Sequence, residues 1–109
     1  MISEEDVDAA LDYLRNSAKA AAVARSQAKT MDKFVGVVEA KAKIMATQDG
    51  LSNAASQDWA RSSEDYKQAL EAWAEAIRQD AEFTMLREAA SSRIEAWRTW
   101  QATERAARI

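Results

Sequence analysis

Apolar residues recur at helical intervals along most of the first half of the chain, and this periodicity constrains the fold more than any other feature. Because each helical residue turns by about 100°, steps of three and four residues return to one face. The steps alternate regularly except for one extra step of three, at Ala24. The predicted stripe contains Val7, Leu11, Leu14, Ala18, Ala21, Ala24, Ala28, Met31, Val35, Val38, Ala42 and Met45. It predicts one long helix with coiled-coil-like packing, locally overwound at the extra step.

The second half of the chain contains two shorter stripes that together predict a second long helix. The first stripe is Tyr66, Leu70, Trp73 and Ile77, and the second is Phe83, Leu86, Ala90, Ile94 and Trp97. The apolar face shifts between them, near Asp80 and Ala81. The shift allows a kink there, although neither glycine nor proline is present to impose one.

The break between the helices is predicted within "TQDGLSNAASQ", residues 47–57. Asp49-Gly50 and Ser52-Asn53 are turn-forming pairs, and glycine suits the left-handed conformation that ends many helices. The following "SSED" supplies a helix cap at Ser62 or Ser63, and Trp59 precedes that helix as a staple or lies in a short extra turn. We therefore expect a single helical domain over residues 1–109, with a helix at about 4–47, a linker at 48–61 and a helix at about 62–107.

Composition supports an all-α fold and argues against several classes of function. The 109 residues include no proline, no histidine, no cysteine and 2 glycines, so turn-rich β folds are disfavoured. Without histidine and cysteine the chain lacks the usual general base near neutral pH and any thiolate metal site. We expect no enzyme, no catalytic residue, no metal and no cofactor. No apolar run is long enough to cross a membrane, and "MISEEDVDAA" is unlike a signal peptide, so we expect the cytoplasm.

Two long helices in a single hairpin would bury only one stripe each, which is little core for a domain of this size. The predicted fold class is therefore all-α: a long antiparallel helical hairpin with coiled-coil-like packing, completed by dimerisation into a four-helix bundle. In the alternative, both helices bend, near Gly36 and Asp80, and the chain forms a compact monomeric bundle. We favour the homo-oligomer.

The segment "RIEAWRTWQATERAAR", residues 93–108, combines arginines with two tryptophans. Arg87, Arg98 and Arg105 are eleven and seven residues apart, so they follow one line on a helix with Trp100 to one side. Arginine forks fit phosphate oxygens, and a free tryptophan stacks on an unpaired base, which favours single-stranded DNA. The candidate contact residues for nucleic acid or a protein partner are Arg87, Arg98, Trp100, Arg105 and Arg108.

A structural interpretation of the same segment is favoured over nucleic-acid binding. If the chain reverses in the middle of the linker, the acidic start of the first helix faces the basic end of the second. The expected neighbours are Trp97 with Leu14, Trp100 with Leu11, Arg105 with Asp6, and Arg98 with Asp12. Exposed ion pairs of this kind contribute about 0–1 kcal/mol each, but they can fix orientation and register.

Three segments resemble a family of small uncharacterised proteins of tailed bacteriophages and prophages: "AVARSQ" (22–27), "YKQALEAWAEAIRQD" (66–80) and "SRIEAWRTWQATERA" (92–106). The resemblance covers most of the chain, but the family's loop often contains proline and this linker has none. It implies a host-cell cytoplasmic setting near phage recombination or replication genes, and no catalytic residue. Two functions follow: a self-associating accessory protein that assists DNA recombination or replication, or an interaction module that binds a host defence or regulatory protein.

Overall fold

The computed structural model describes residues 2–108, which form three α-helices and contain no β-strand. Helix α1 spans Glu4–Gln48, α2 spans Asn53–Ser62 and α3 spans Glu64–Ala107. The all-α prediction is therefore confirmed. Neither α1 at Gly36 nor α3 at Asp80 is interrupted, so the alternative bundle's bends are not present as helix breaks. A Cβ atom at Gly36 would meet no atom within 4 Å, so no close contact requires glycine there.

The start of α1 is fixed by the capping pair that the sequence predicts. The Asp6 amide donates to the Ser3 hydroxyl at 3.1 Å, and the Ser3 amide donates to the Asp6 carboxylate at 2.9 Å. Two amide groups that have no partner inside the helix are thereby satisfied. The acidic first turn, with Glu4 and Glu5, also suits the positive end of the helix dipole.

Gly50 ends α1 in the left-handed conformation, with φ of 93°. Its amide donates to the Thr47 carbonyl at 3.0 Å, and the Leu51 amide donates to the Ala46 carbonyl at 3.1 Å. These two bonds are a Schellman motif, which satisfies carbonyl groups at the end of a helix. Ser52 then caps the next helix by accepting from the Ala55 amide at 3.2 Å. The chain therefore reverses within four residues, 49–52.

Most of the predicted linker 48–61 is helix α2 and not loop, which corrects the sequence interpretation. Its Ser56 is completely buried and lies within hydrogen-bond distance of the Thr47 hydroxyl, 3.1 Å away. Trp59 belongs to α2 and not to an isolated turn. Ser63 separates α2 from α3, and its hydroxyl accepts from the Tyr66 amide at 3.3 Å. Serine and alanine are small enough for α2 to pack closely on the end of α1. Turn propensity alone does not predict this packing, so the segment was interpreted as a linker.

An unbroken line of alternating three- and four-residue steps is buried or half-buried along each long helix, and we call these two lines the inner stripes. In α1 the inner stripe is Val7, Ala10, Leu14, Ser17, Ala21, Ala24, Ala28, Met31, Val35, Val38 and Ala42. In α3 it is Tyr66, Ala69, Trp73, Ala76, Asp80, Phe83, Arg87, Ala90, Ile94, Trp97, Gln101 and Glu104. Such seven-residue periodicity is the coiled-coil pattern. Neither the predicted extra step in α1 nor the predicted shift in α3 exists.

The helices belong to two structural units. The terminal unit contains the residues up to Ala22 and from Ala81 onward, and the central unit is Val23–Asp80. In the terminal unit, Val7 and Ala10 of α1 pack with Ala90 and Ile94 of α3. The half-buried residues around this cluster are Ile2, Tyr13, Leu14 and Trp97. The terminal unit therefore seals bulky side chains between antiparallel helices.

The central unit has a thinner core. Apart from Val35, its buried apolar residues are all alanines: Ala24, Ala46, Ala60, Ala69 and Ala76. Met45, predicted to be in the core, is 59% exposed because α2 packs at this end of α1 and Ala46 takes the inward position. Ile77 is likewise exposed, because the inner stripe of α3 passes through Ala76.

The register of α1 against α3 differs from the expected one. Leu14 faces Arg87, ten residues before the predicted neighbour Trp97. Asp6 interacts electrostatically with Arg93 and not with Arg105. The reason is the early reversal at residues 49–52: moving the turn toward the N-terminus by one residue moves each facing partner by two. The expected residue pairs are therefore wrong, although the acidic start of α1 does lie near Arg93 in the basic end of α3.

Candidate interaction surfaces

Arg87, the first of the five candidate contact residues, is turned into the terminal unit. Its Nη1 donates to the Leu14 carbonyl at 2.7 Å and to the Ser17 hydroxyl at 2.8 Å. The Ser17 hydroxyl in turn donates to the Tyr13 carbonyl at 2.6 Å. Charged hydrogen bonds to partly buried acceptors are stronger than exposed ones, so this arginine fastens α3 to α1. The Nη1 donors of Arg87 are therefore engaged within the fold.

Arg98 lies on the surface and pairs within its own helix. Its Nη1 donates to the Glu95 carboxylate at 3.1 Å, and both side chains are well exposed. Asp12, its predicted partner, instead lies 3.7 Å from Arg15, one turn away on α1. Local pairs of this kind are weak, because water solvates both charges when they separate. The Arg98 guanidinium is therefore available to an external anion at little cost.

The remaining candidates, Trp100, Arg105 and Arg108, lie near the end of α3. Both arginines are exposed, and Trp100 has 38% of its surface exposed. The displaced register explains why Trp100 is not covered by Leu11, which is itself exposed. Arg87, although on the same helical line, does not join these residues because it is directed toward α1. We call Arg98, Trp100, Arg105 and Arg108 the arginine–tryptophan surface.

Electrostatic effects on two carboxyl groups follow from local hydrogen bonds. The Ser3 amide and hydroxyl hold the pKa of Asp6 below its ordinary value, and the nearby Arg93 acts in the same direction. In the central unit, Arg78 and Gln79 donate to Glu75 and lower its pKa to about 2. Both carboxyl groups are at the surface, so these shifts describe a solvated helix face and not a catalytic centre.

The sequence interpretation missed a second stripe on α1, which we call the outer stripe. It consists of Val23, Gln27, Thr30, Phe34, Val37, Lys41, Ile44 and Gln48, at alternating steps of four and three, and every member is exposed. Val37 and Ile44 are 48% and 58% exposed. The signal was present in the sequence as Val23, Thr30, Val37 and Ile44, which are all β-branched and seven residues apart.

Beside the outer stripe, an apolar groove of about 470 Å³ lies between α1 and the start of α3 in the central unit. Its lining includes Phe34 and Met45 of α1, Trp59 of α2, and the small Ala69 and Ala72 of α3. A neighbouring groove of about 310 Å³ shares Ala72 and is lined by Gln27, Thr30 and Met31. The two grooves therefore follow the outer stripe for much of its length.

A smaller pocket of about 290 Å³ lies in the terminal unit, lined by Ala9, Tyr13, Leu86, Ala89, Ala90 and Arg93. The Tyr13 hydroxyl is buried and has no hydrogen-bond partner. An unpaired buried hydroxyl reduces stability, because it loses its bond to water on folding. Nothing in the lining is arranged for chemistry, since its only charged residue is Arg93.

Comparison of the chain with protein-family models, with curated proteins and with solved structures finds no match. Within residues 2–108, no helix is both long and apolar enough to cross a membrane. The same residues contain no cluster of three or more acidic side chains placed to hold a metal ion. The outer stripe with its groove and the arginine–tryptophan surface are two exposed features of the described residues.

Proposed function

We propose that this chain is a non-enzymatic phage accessory protein that self-associates and assists DNA recombination or replication, by contact with DNA or with a protein. The observation that carries the proposal is the outer stripe, where Phe34, Val37 and Ile44 are exposed in a regular row. Large apolar side chains arranged in this way mark interaction sites, because covering them releases poorly solvated surface from water. In this proposal, the outer stripe contacts a second copy of the chain.

The arginine–tryptophan surface supports direct contact with DNA. Arg98 is held only by a local pair, and Arg105 and Arg108 are exposed near the end of the same helix. Trp100 offers part of its ring for stacking on an unpaired base, worth about 1–3 kcal/mol per base. Single-stranded DNA is therefore the preferred nucleic acid. Arg87 is removed from the proposed contact set because its donors serve the fold.

The phage setting depends on the resemblance of residues 22–27, 66–80 and 92–106 to phage proteins. A second candidate function is a module that binds a host defence or regulatory protein. The groove of about 470 Å³ favours it, because grooves lined by aromatic and aliphatic side chains accept the apolar face of a partner helix. In that case the exposed arginines would serve solubility and orientation alone.

Binding to fluorescent single- and double-stranded oligonucleotides at low and moderate salt tests the DNA proposal. We expect salt-sensitive binding that favours single strands and weakens at least tenfold in Arg98→Ala/Arg105→Ala. The loss of two phosphate contacts should also reduce the dependence on salt, by about 0.7 in the logarithmic slope per contact.

A matched control removes the same two positive charges elsewhere, in Lys19→Ala/Lys29→Ala, whose side chains are exposed on α1. That variant should bind as the wild type does. Equal losses in both double variants would indicate a nonspecific effect of net charge. An absence of binding at low salt would remove direct DNA contact from the proposal and leave the protein-binding candidate.

A further inference from the structure

We infer that the outer stripe pairs with the outer stripe of a second copy in antiparallel orientation, with Phe34 of one copy against Val37 of the other. The inference rests on the proposed self-association and names its surface and geometry. The partner is the same segment, residues 23–48 of α1 in a second chain.

In the central unit, α1 carries two adjacent stripes, the inner stripe and the outer stripe. A helix that touches one neighbour needs one apolar stripe, and a helix in a bundle touches more than one neighbour. The inner stripe of the central unit already faces α3, with Ala24 and Val35 buried. Among residues 2–108, no helix covers Val37 and Ile44, which remain about half exposed. A second copy of the chain can supply the helix that covers them.

The spacing of the outer stripe selects the antiparallel orientation. In a parallel pair in register, Lys41 of each copy would lie against Lys41 of the other, and like charges at such a contact repel. In the antiparallel register, all eight positions find a partner and Lys41 faces Thr30. The pairs are Val23 with Gln48, Gln27 with Ile44, Thr30 with Lys41, and Phe34 with Val37. The two bulkiest contacts then lie together at the centre, around the two-fold axis.

The charges beside the stripe favour a second copy over a different partner. In a two-fold dimer both copies use the same surface, so that surface must carry both the basic and the acidic members of any ion pairs between the copies. The groove beside the stripe has Lys41 on its α1 wall and Asp65 on its α3 wall. Farther along, Glu75 also lies on the α3 wall, where Arg78 and Gln79 donate to it. One copy thus offers both a basic and an acidic rim, which a two-fold partner can match.

Thiol crosslinking tests the orientation directly, since the chain has no cysteine of its own. Positions 27 and 44 are seventeen residues apart, or about 25 Å along a helix. In the antiparallel pair, Ile44→Cys meets Gln27→Cys of the other copy, whereas two Ile44→Cys chains keep their thiols about 25 Å apart. With a short thiol crosslinker, we expect covalent dimers from the mixture of the two variants and none from either alone.

Lys29→Cys is the matched control, because this exposed position lies outside the outer stripe. It should not crosslink to Ile44→Cys. Covalent dimers from Ile44→Cys alone would overturn the inference in favour of a parallel pair. Light scattering on the same samples separates the two levels of the proposal. A dimer that gives no crosslinks in the mixture would contradict pairing through the outer stripe but not self-association. A monomer would contradict both.

Discussion

The terminal and central units use the same pair of helices in opposite ways. The terminal unit places Val7 and Ile94 between its helices and fastens them with Arg87. In the central unit the fully buried apolar residues are mainly alanines, most of the larger inward side chains are only half-buried, and Phe34 and Ile44 are exposed. Apolar stabilisation scales with the area removed from water, about 25 cal/mol per Å², so a buried isoleucine contributes more than a buried alanine. The terminal unit thus fully buries larger side chains such as Ile94, whereas the central unit carries the exposed outer stripe that we propose as the contact with a partner.

The polar contacts between helices also differ between the two units, in how far they are exposed to water. In the central unit, Arg25 lies 3.6 Å from Asp80 and Arg61 lies 3.1 Å from Glu39, and both arginine side chains are more than half exposed. Such pairs contribute about 0–1 kcal/mol. The terminal unit instead has the half-buried contacts of Arg87 to a carbonyl and a hydroxyl on α1. The Arg87 guanidinium is thus the least exposed of these arginines that join two helices.

Truncation of one isoleucine in each unit tests the difference between the units most directly. Ile94→Ala should lower the free energy of unfolding by about 2–5 kcal/mol at any protein concentration, since it leaves a cavity inside one chain. Ile44→Ala should cost little in dilute solution and more at high concentration, because its loss weakens association. Urea unfolding followed by circular dichroism at several concentrations measures both. A concentration-independent loss for Ile44→Ala would assign that side chain to the fold of one chain.

The next largest effect concerns Arg87. Arg87→Ala should cost about 1–3 kcal/mol of unfolding free energy, because two partly buried acceptors lose their donor. Arg98→Ala, the exposed control on the same helix, should change stability by less than about 0.5 kcal/mol. The same urea titrations serve for both variants. Equal costs would mean that Arg87 does not fasten the terminal unit, and its place among the contact residues would need to be restored.

Replacing either of the two glycines in the central unit should change stability by a smaller amount, and in opposite directions. Gly36→Ala should stabilise the chain by about 1 kcal/mol, because alanine favours the helix and the new methyl group meets no atom within 4 Å. Gly50→Ala should destabilise it by about 1–2 kcal/mol, because φ of 93° is costly for any residue with a Cβ atom. Thermal unfolding of the two variants should move in opposite directions. A destabilising Gly36→Ala would show that a partner approaches α1 there.

The smallest expected effect is the pH dependence of the capping pair in the terminal unit. The lowered pKa of Asp6 means that its contribution is complete above the ordinary value of 3.8 and is lost as the pH falls through the lowered value. Asp6→Asn should therefore lower the thermal midpoint at neutral pH, and the difference from wild type should shrink in acid. Asp8→Asn, an exposed control that removes the same charge, should show a smaller difference. A gap that widens in acid would contradict the assignment.

The helices were predictable from the sequence because their caps and periodicity are local. Ser3, Gly50 and Ser63 each act where their chemistry indicates. The inner stripes were not read fully because polar residues occupy some of their positions. Ser17, Asp80 and Arg87 belong to them. Omitting Asp80 and Arg87 produced the shift in α3, and choosing Leu11 and Ala18 instead of Ala10 and Ser17 produced the extra step in α1. Each of the three has a hydrogen-bond or ion-pair partner, which a search for apolar residues alone does not anticipate.

The partners on each surface were harder to predict because they depend on the turn. The helix α2 within the linker places the reversal at residues 49–52, and the register follows from that position. As a result Arg105 and Trp100 do not meet Asp6 and Leu11. The arginines proposed for contact remain together on α3 except for Arg87, whose inward direction is set by Ser17 and Leu14. The outer stripe could have been found from the seven-residue spacing of Val37 and Ile44.

The central claim is that the outer stripe is covered by a second copy, and the mass of the protein in solution tests it most directly. Static light scattering should give about twice 12.1 kDa for the wild type at micromolar concentration. It should give 12.1 kDa for Phe34→Glu/Val37→Glu, with helical content kept in circular dichroism. A wild-type mass of 12.1 kDa under these conditions, or a double variant that remains dimeric, would contradict the account.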